Sequence, residues 1–166
     1  MKIMPVMLMF LVTIMTPILV EGAMLPRHVG KIHLNMTANE FKMLTGVVPG
    51  SCPTECSDSE EYADLTGRKL KHVDVTGADS IEVNFWNNRV YYISLINKKK
   101  EKASIMISEL KKKYGAYQEY SEGAPNVRVI VWNDRLTELS LVYDTVNDIV
   151  VRYSYKDLKE RKGAGW

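Results

Sequence analysis

The sequence predicts an α+β fold in which an antiparallel sheet of about five strands packs on two helices. Three observations support this prediction. Apolar and polar residues alternate in 81–86 and again in 127–132, with the period of half-buried strands. An Asn-Asn or Asn-Asp pair follows each run and favours a tight hairpin turn. Two further segments, 38–45 and 96–115, carry the spacing and the end signals of helices.

The first 23 residues are typical of a segment that is removed on export. Lys2 is followed by residues 3–20, which carry no charge, and small residues then offer a cleavage site near Ala23. A retained membrane anchor is the alternative, although this apolar stretch is short for crossing about 30 Å of hydrocarbon. We therefore expect a periplasmic or secreted protein without a transmembrane segment in its mature chain. Its organisation would be a signal peptide (1–23), a single α+β domain (24–158) and a flexible tail (159–166).

Composition limits the classes of function. The formal net charge is +2 with 25% charged residues, which argues against a dedicated nucleic-acid binder, since such proteins usually carry a strong basic excess. Cleavage after Ala23 leaves 166 − 23 = 143 residues, enough for one domain with its own core. We therefore expect no cofactor and no structural metal. The sequence carries no signal for the oligomeric state.

Cys52 and Cys56 are the only cysteines. Export would place them in an oxidising compartment, where they are predicted to form a short disulfide. Free thiols, a redox pair or a metal site remain as alternatives. Redox pairs usually have two intervening residues, and zinc needs further ligands. The imidazoles that could supply such ligands are His28, His33 and His72.

The first helix is predicted at 38–45. Thr37 and Glu40 have the spacing of a capping box, in which each side chain accepts a hydrogen bond from the other's backbone N–H. Gly46 supplies the left-handed residue that ends such a helix. The residues before it, 24–35, are expected to be extended.

The segment 47–66 is predicted to be an irregular, solvated acidic loop. It lacks the glycine and the terminal glutamate of a calcium-binding EF-hand loop. Its acids are Glu55, Asp58, Glu60, Glu61 and Asp64. Residues 70–75 are predicted to form a short strand.

The remaining strands belong to two hairpins and a last strand. Asn87-Asn88 is the predicted turn of the first hairpin, and its return strand is 90–96. Asn133-Asp134 is the predicted turn of the second hairpin, with its return strand at 136–143. A further strand is expected at 149–155, with Ile149, Val151, Tyr153 and Tyr155 on one side. Residues 118–126 are predicted to form a polar loop.

The main helix is predicted at 96–115, ending at Gly115. One stripe of its surface is apolar and should face the core, while Ile105 lies on the outer side. The residues of that stripe are Ala103, Met106, Ile107, Leu110 and Tyr114.

Two stretches of ten residues are nearly repeated. "WNNRVYYISL" occupies 86–95 and "WNDRLTELSL" occupies 132–141, and five of the ten positions are identical. Each hairpin follows a helix that ends in glycine. The repeat therefore predicts a duplicated helix–hairpin unit followed by one extra strand.

The repeat also predicts a contact surface. If Val83, Phe85, Val129 and Val131 face the helices, the opposite sheet face would carry two tryptophans and form a contact platform. Packing of both indoles against neighbouring strands is the alternative. The candidate binding residues are Trp86, Trp132, Asn84, Ile130, Arg89 and Arg135.

A family resemblance accompanies these features. "NMTANEFKMLTG" at 35–46 resembles the G-M-T-x-x-E opening of small exported bacterial proteins, namely the small lipoprotein subunit of the outer-membrane assembly machine and the β-lactamase-inhibitor-protein-like domains. The resemblance implies an exported α+β protein that acts by surface contact. Asn35 replaces the usual glycine, a lipid-attachment cysteine is missing after the apolar segment, and 47–80 has no counterpart in that pattern.

The predicted function is therefore a non-enzymatic binding or envelope-assembly module whose partner is a protein of the cell envelope. A small exported enzyme is one alternative, because His72 and Asp74 would share a strand face. A peripheral protein that binds anionic membrane is the other. Its contacts would be Lys98, Lys99, Lys100, Lys102, Lys111, Lys112 and Lys113.

Overall fold

The computed structural model describes residues 24–51, 60–66, 78–96 and 101–158. The strands are β1 (His28–Val29), β2 (Ile32–His33), β3 (Gly50–Ser51), β4 (Glu60–Asp64), β5 (Ser80–Trp86), β6 (Arg89–Ile96), β7 (Gln118–Ser121), β8 (Val127–Asn133), β9 (Thr137–Asp144) and β10 (Ile149–Asp157). The helices are α1 (Ala38–Thr45) and α2 (Ala103–Tyr114).

The predicted α+β fold with about five strands on two helices is wrong, because the described part of the chain is predominantly β. Eight strands form one antiparallel sheet in the order β3-β4-β5-β6-β10-β9-β8-β7, and β1 and β2 form a separate hairpin. The prediction missed β3, β4 and β7, which lie at or beside the sheet edges. Part of the segment read as an acidic loop is β4, and part of the polar loop is β7. Such strands are held by backbone pairing, so their side chains lack the apolar alternation that marks a buried strand.

The prediction of the first helix is confirmed, as is the end of the main helix at Gly115. The predicted start of the main helix at 96 is wrong, because Ile96 ends β6 and α2 begins only at Ala103. The hydroxyl of Thr37 accepts a hydrogen bond from the Glu40 N–H at 3.2 Å, and the Glu40 carboxylate accepts one from the Thr37 N–H at 2.7 Å. Gly46 ends α1 in the left-handed region with φ of 73°. In α2 the predicted stripe packs on the core, and Ile105 is exposed.

The residues before α1 pack in the core and bond to other parts of the domain. Leu25 and Ile32 are buried, and the Leu25 N–H donates to the Asp134 carboxylate at 2.7 Å. Arg27 forms an ion pair with the buried carboxylate of Asp157 at the end of β10. This N-terminal segment therefore ties the helix side of the molecule to the second half of the sheet.

The sheet has two halves with the same order of elements. In each half a helix precedes four antiparallel strands, α1 with β3–β6 and α2 with β7–β10, and the two last strands pair at the centre. The residue before each helix bridges the first residue of that last strand, Thr37 with Arg89 and Lys102 with Ile149. The two halves are related to each other about the facing pair Ser94 in β6 and Ser154 in β10, at the centre of the sheet.

The hairpins with similar sequences do not occupy equivalent places in this arrangement, so the predicted helix–hairpin duplication is wrong. They are β5–β6, the two strands of the first half that lie nearest the centre of the sheet, and β8–β9, which lie one strand further from the centre in the second half. In the first, Asn87 and Asn88 have positive φ and form the predicted two-residue turn. In the second, the chain turns between Asn133 and Glu138, where the Asp134 carboxylate accepts hydrogen bonds from backbone N–H groups.

Candidate functional site

The eight-stranded sheet has two unlike faces. Both helices and the N-terminal segment pack on one face, where the main core includes Phe41, Phe85, Trp132, Leu139 and Val150. No element of the described ranges packs over the other side, which we call the open face. Side chains at alternate strand positions point to it, so it is built from the residues between the core residues of each strand.

The predicted pairing of tryptophans on one face is wrong. Trp132 is only 1% exposed and packs on the helix side against Tyr117, with ring centroids 5.5 Å apart. Ile130 lies on the same side and is equally buried. Val129 and Val131, which were expected to face the helices, instead form a small apolar cluster with Val142 on the open face.

Strand register explains this inversion. Asn84 pairs with Tyr92, so the equivalent pair 46 residues later would be Ile130 with Glu138. Ile130 instead pairs with Leu141, a shift of 141 − 138 = 3 residues. An odd shift turns every side chain of a strand to the other face. The return strands β6 and β9 keep their equivalent residues on the same face, so only β8 is inverted relative to β5.

The remaining predicted binding residues are not brought together. Trp86 and Asn84 are half-buried and point to the open face, as predicted. Arg89 lies at the start of β6 and donates to the backbone oxygen of Asn35 at 3.0 Å, beside the beginning of α1. Arg135 is exposed in the turn between β8 and β9. The six residues therefore do not form one surface.

The open face carries a groove that the sequence prediction missed. Its cavity volume is about 280 Å³. Residues of six neighbouring strands, from β5 to β7, contribute to its wall. The residues that line it are Asn84, Tyr91, Tyr92, Tyr120, Glu122, Val129, Glu138, Ser140, Arg152 and Lys156.

Hydrogen bonds hold two of the groove tyrosines in place. The Tyr92 hydroxyl donates to Ser154 Oγ at 3.0 Å, and Ser154 Oγ in turn lies 3.0 Å from Ser94 Oγ at the centre of the sheet. The Tyr91 hydroxyl donates to Glu60 Oε1 at 3.1 Å. These rings are therefore preorganised.

Tyr120 forms the exposed wall of the groove on the edge strand β7. Its side chain is 51% exposed. Partial burial, followed by the nearby carboxylates of Glu122 and Glu138, raises the pKa of its hydroxyl. The hydroxyl therefore remains a neutral hydrogen-bond donor at neutral pH.

Two ion pairs line the groove. Arg152 Nη2 lies 3.3 Å from Glu122 Oε2, and Lys156 Nζ lies 4.0 Å from Glu138 Oε1. Both pairs are partly exposed to solvent, where such contacts contribute little to stability. Arg152 Nε is buried and has no hydrogen-bond partner within the described residues.

The sequence held one signal for this groove. Arg152, Ser154 and Lys156 are polar residues at every second position of β10, between buried tyrosines. The prediction placed Ile149 and Val151 on the same side as those tyrosines. A β-bulge between Val150 and Arg152 breaks that alternation, so residues at every second position do not stay on one face along the whole strand.

Several predicted sites fall outside the described residues. These are Cys52 and Cys56, the pair His72 and Asp74, the strand at 70–75, and Lys98–Lys100, together with the segments 1–23 and 159–166. Of the remaining lysines, Lys111 lies 5.4 Å from the Tyr117 ring centroid and Lys113 lies 5.1 Å from that of Tyr114.

The described residues hold no group of three or more His, Cys, Asp or Glu side chains placed to bind a metal ion. Neither helix in these ranges has the length and the apolar character needed to cross a membrane. Comparisons with protein-family models, with characterised proteins and with solved structures find no match to this chain.

Proposed function

We propose that this protein is an exported, non-enzymatic module that binds a partner protein of the cell envelope in the groove of the open face. The observation that carries the proposal is that one face of the sheet is covered and the other is not. One face holds the helices and the main core. The other carries the groove and is covered by no element of the described ranges.

The side chains of the groove suit a protein partner. Tyrosine and arginine are enriched where proteins bind one another, because each combines a large contact area with directional hydrogen bonds. Tyr91, Tyr92 and Tyr120 line the groove together with Arg152. Two of these rings are already fixed by hydrogen bonds, so binding would cost little side-chain entropy.

The location belongs to the same proposal. The predicted cleavage site near Ala23 lies directly before Leu25, which is buried and hydrogen-bonded to Asp134. Cleavage there would leave the folded domain intact. Mass spectrometry of the mature protein from its native host tests this. A mass that includes residues 1–23 would contradict export by a cleaved signal peptide.

The binding role is tested by capture from native envelope extract. The groove variant is Tyr92→Ala/Tyr120→Ala, and the matched control is Ile105→Ala/Lys112→Ala on the outer side of α2. We expect the groove variant to lose at least tenfold in captured partner and the control to capture as much as wild type. Circular dichroism verifies that each variant is folded.

A second variant distinguishes loss of binding from loss of folding. Tyr120 is exposed on an edge strand, so Tyr120→Glu should fold normally. It places a charge in the groove and should also reduce capture. Wild-type capture by both groove variants would refute the proposed binding face.

A further inference from the structure

We propose that the groove binds an acidic side chain, an aspartate or glutamate on an extended segment of the partner, through Arg152, and that Glu122 occupies this position in the free protein. The inference deepens the proposed function and rests on it. It follows from the way in which the hydrogen-bonding capacity of Arg152 is used.

Arg152 is only partly satisfied. Its Nη2 contacts Glu122 through one long contact of 3.3 Å, while its Nε is buried without a partner in the described ranges. A guanidinium binds a carboxylate best through two parallel N–H donors, and Nε with one Nη forms such a fork. Nε is covered in the free protein, so an incoming carboxylate would satisfy this unused donor once Glu122 has left and the guanidinium has turned its Nε–H toward the groove.

Glu122 is suited to being displaced. Its side chain is 53% exposed and follows the last residue of the edge strand β7. A single exposed contact of this kind is weak. Releasing Glu122 into water costs little, because its carboxylate is already largely solvated.

The charges of the groove favour one carboxylate over a more highly charged anion. Arg152 and Lys156 supply two positive charges, and Glu122 and Glu138 supply two negative charges. A phosphate dianion would be repelled by both Glu122 and Glu138, whereas a single carboxylate takes the place of Glu122 at Arg152. The shape points to a polypeptide, since the groove lies across six strands and opens to solvent.

The inference is tested by nuclear magnetic resonance of the arginine Nε–H groups in the whole mature protein. The probe is the blocked tripeptide acetyl-Gly-Asp-Gly-amide, and the control probe has asparagine in place of aspartate. We expect the Arg152 Nε–H resonance to shift saturably with the aspartyl peptide and not with the asparaginyl peptide. Equal responses to both peptides, or no saturable shift, would overturn the inference.

Variants give the expected magnitudes. Arg152→Gln should weaken binding of the aspartyl peptide about tenfold or more, as expected for loss of a charged hydrogen bond. Arg135→Gln makes the same change in net charge on an exposed turn and should leave binding unchanged. Glu122→Gln should strengthen binding about twofold to fivefold, because the competing exposed ion pair is removed. A weakening by Glu122→Gln would contradict its displacement.

The same variants separate this inference from the proposed function. If partner capture depends on Tyr92 and Tyr120 but Arg152→Gln changes neither capture nor peptide binding, the groove binds a partner without a carboxylate. If Arg152 binds the aspartyl peptide but the tyrosine variants capture normally, the carboxylate site exists and the proposed docking role is wrong.

Discussion

Trp86 and Trp132 offer a direct test of the strand register, because the same substitution should have unlike effects in two similar stretches of sequence. Trp132 is buried at 1% exposure on the helix side, and Trp86 is half-buried on the open face. We predict that Trp132→Ala destabilises the protein much more than Trp86→Ala does.

The magnitude follows from burial. Replacing a buried tryptophan with alanine typically costs about 3–5 kcal/mol, through lost apolar burial and the cavity that remains. Trp132 Nε1 is buried without a partner in the described ranges, so removing the indole also relieves an unsatisfied donor, an offset of about 1 kcal/mol or more. We therefore expect a loss of about 3 kcal/mol for Trp132→Ala. Trp86→Ala leaves no closed cavity and should cost about 1–2 kcal/mol.

Urea denaturation followed by circular dichroism measures both losses. With an m-value of about 2 kcal/mol/M, a loss of 3 kcal/mol lowers the midpoint by about 1.5 M. Trp132→Phe is the control, because it removes the unpaired N–H while keeping an aromatic ring. It should cost less than Trp132→Ala by about 1–2 kcal/mol. If Trp86→Ala lowers the midpoint as much as Trp132→Ala, the register assigned to β8 is incorrect.

Two further predictions concern the charges that join separate parts of the chain. The pKa of Asp148 is held below its ordinary value because its carboxylate accepts hydrogen bonds from the Ser104 N–H at 2.9 Å and hydroxyl at 2.8 Å. A lowered pKa contributes stability above the unfolded-state value that is lost as pH falls through the folded-state value. Asp148→Asn should therefore lower the Tm at pH 7 and change it little near pH 3, and a Tm difference independent of pH would contradict this. Arg27→Met leaves the buried Asp157 carboxylate without its cation and should cost about 3 kcal/mol in urea denaturation. A cost below about 1 kcal/mol would mean that the N-terminal segment is not anchored by this ion pair.

The features that the sequence predicted correctly depend on residues close together in the chain. The capping box of Thr37 and Glu40 spans one helical turn, and Gly46 ends the same helix with a conformation that other residues rarely adopt. The turn at Asn87-Asn88 has the same local origin, since asparagine tolerates positive φ. Periodicity alone also identified the core-facing stripe of α2.

The groove was missed because its residues are far apart in the sequence. Tyr92, Tyr120 and Arg152 lie on three strands and meet only after β10 pairs between β6 and β9. The prediction relied instead on the repeated tryptophan stretch, where β8 pairs with β9 in a shifted register and Trp132 is buried. No local signal reports that shift, because it is fixed by pairing with β9 and by packing under Tyr117.

The sequence by itself determined α1 with both its ends, the C-terminal end of α2, the first hairpin turn, and strands at β5, β6, β8, β9 and β10, because caps, turns and periodicity are set within a few residues. Tertiary structure alone decided the edge strands, the central pairing of β6 with β10, and which face each side chain of β8 occupies. These depend on hydrogen bonds between strands distant in the chain, and a shift of an odd number of residues there exchanges the buried face for the exposed one. The open face and its groove are consequences of that pairing.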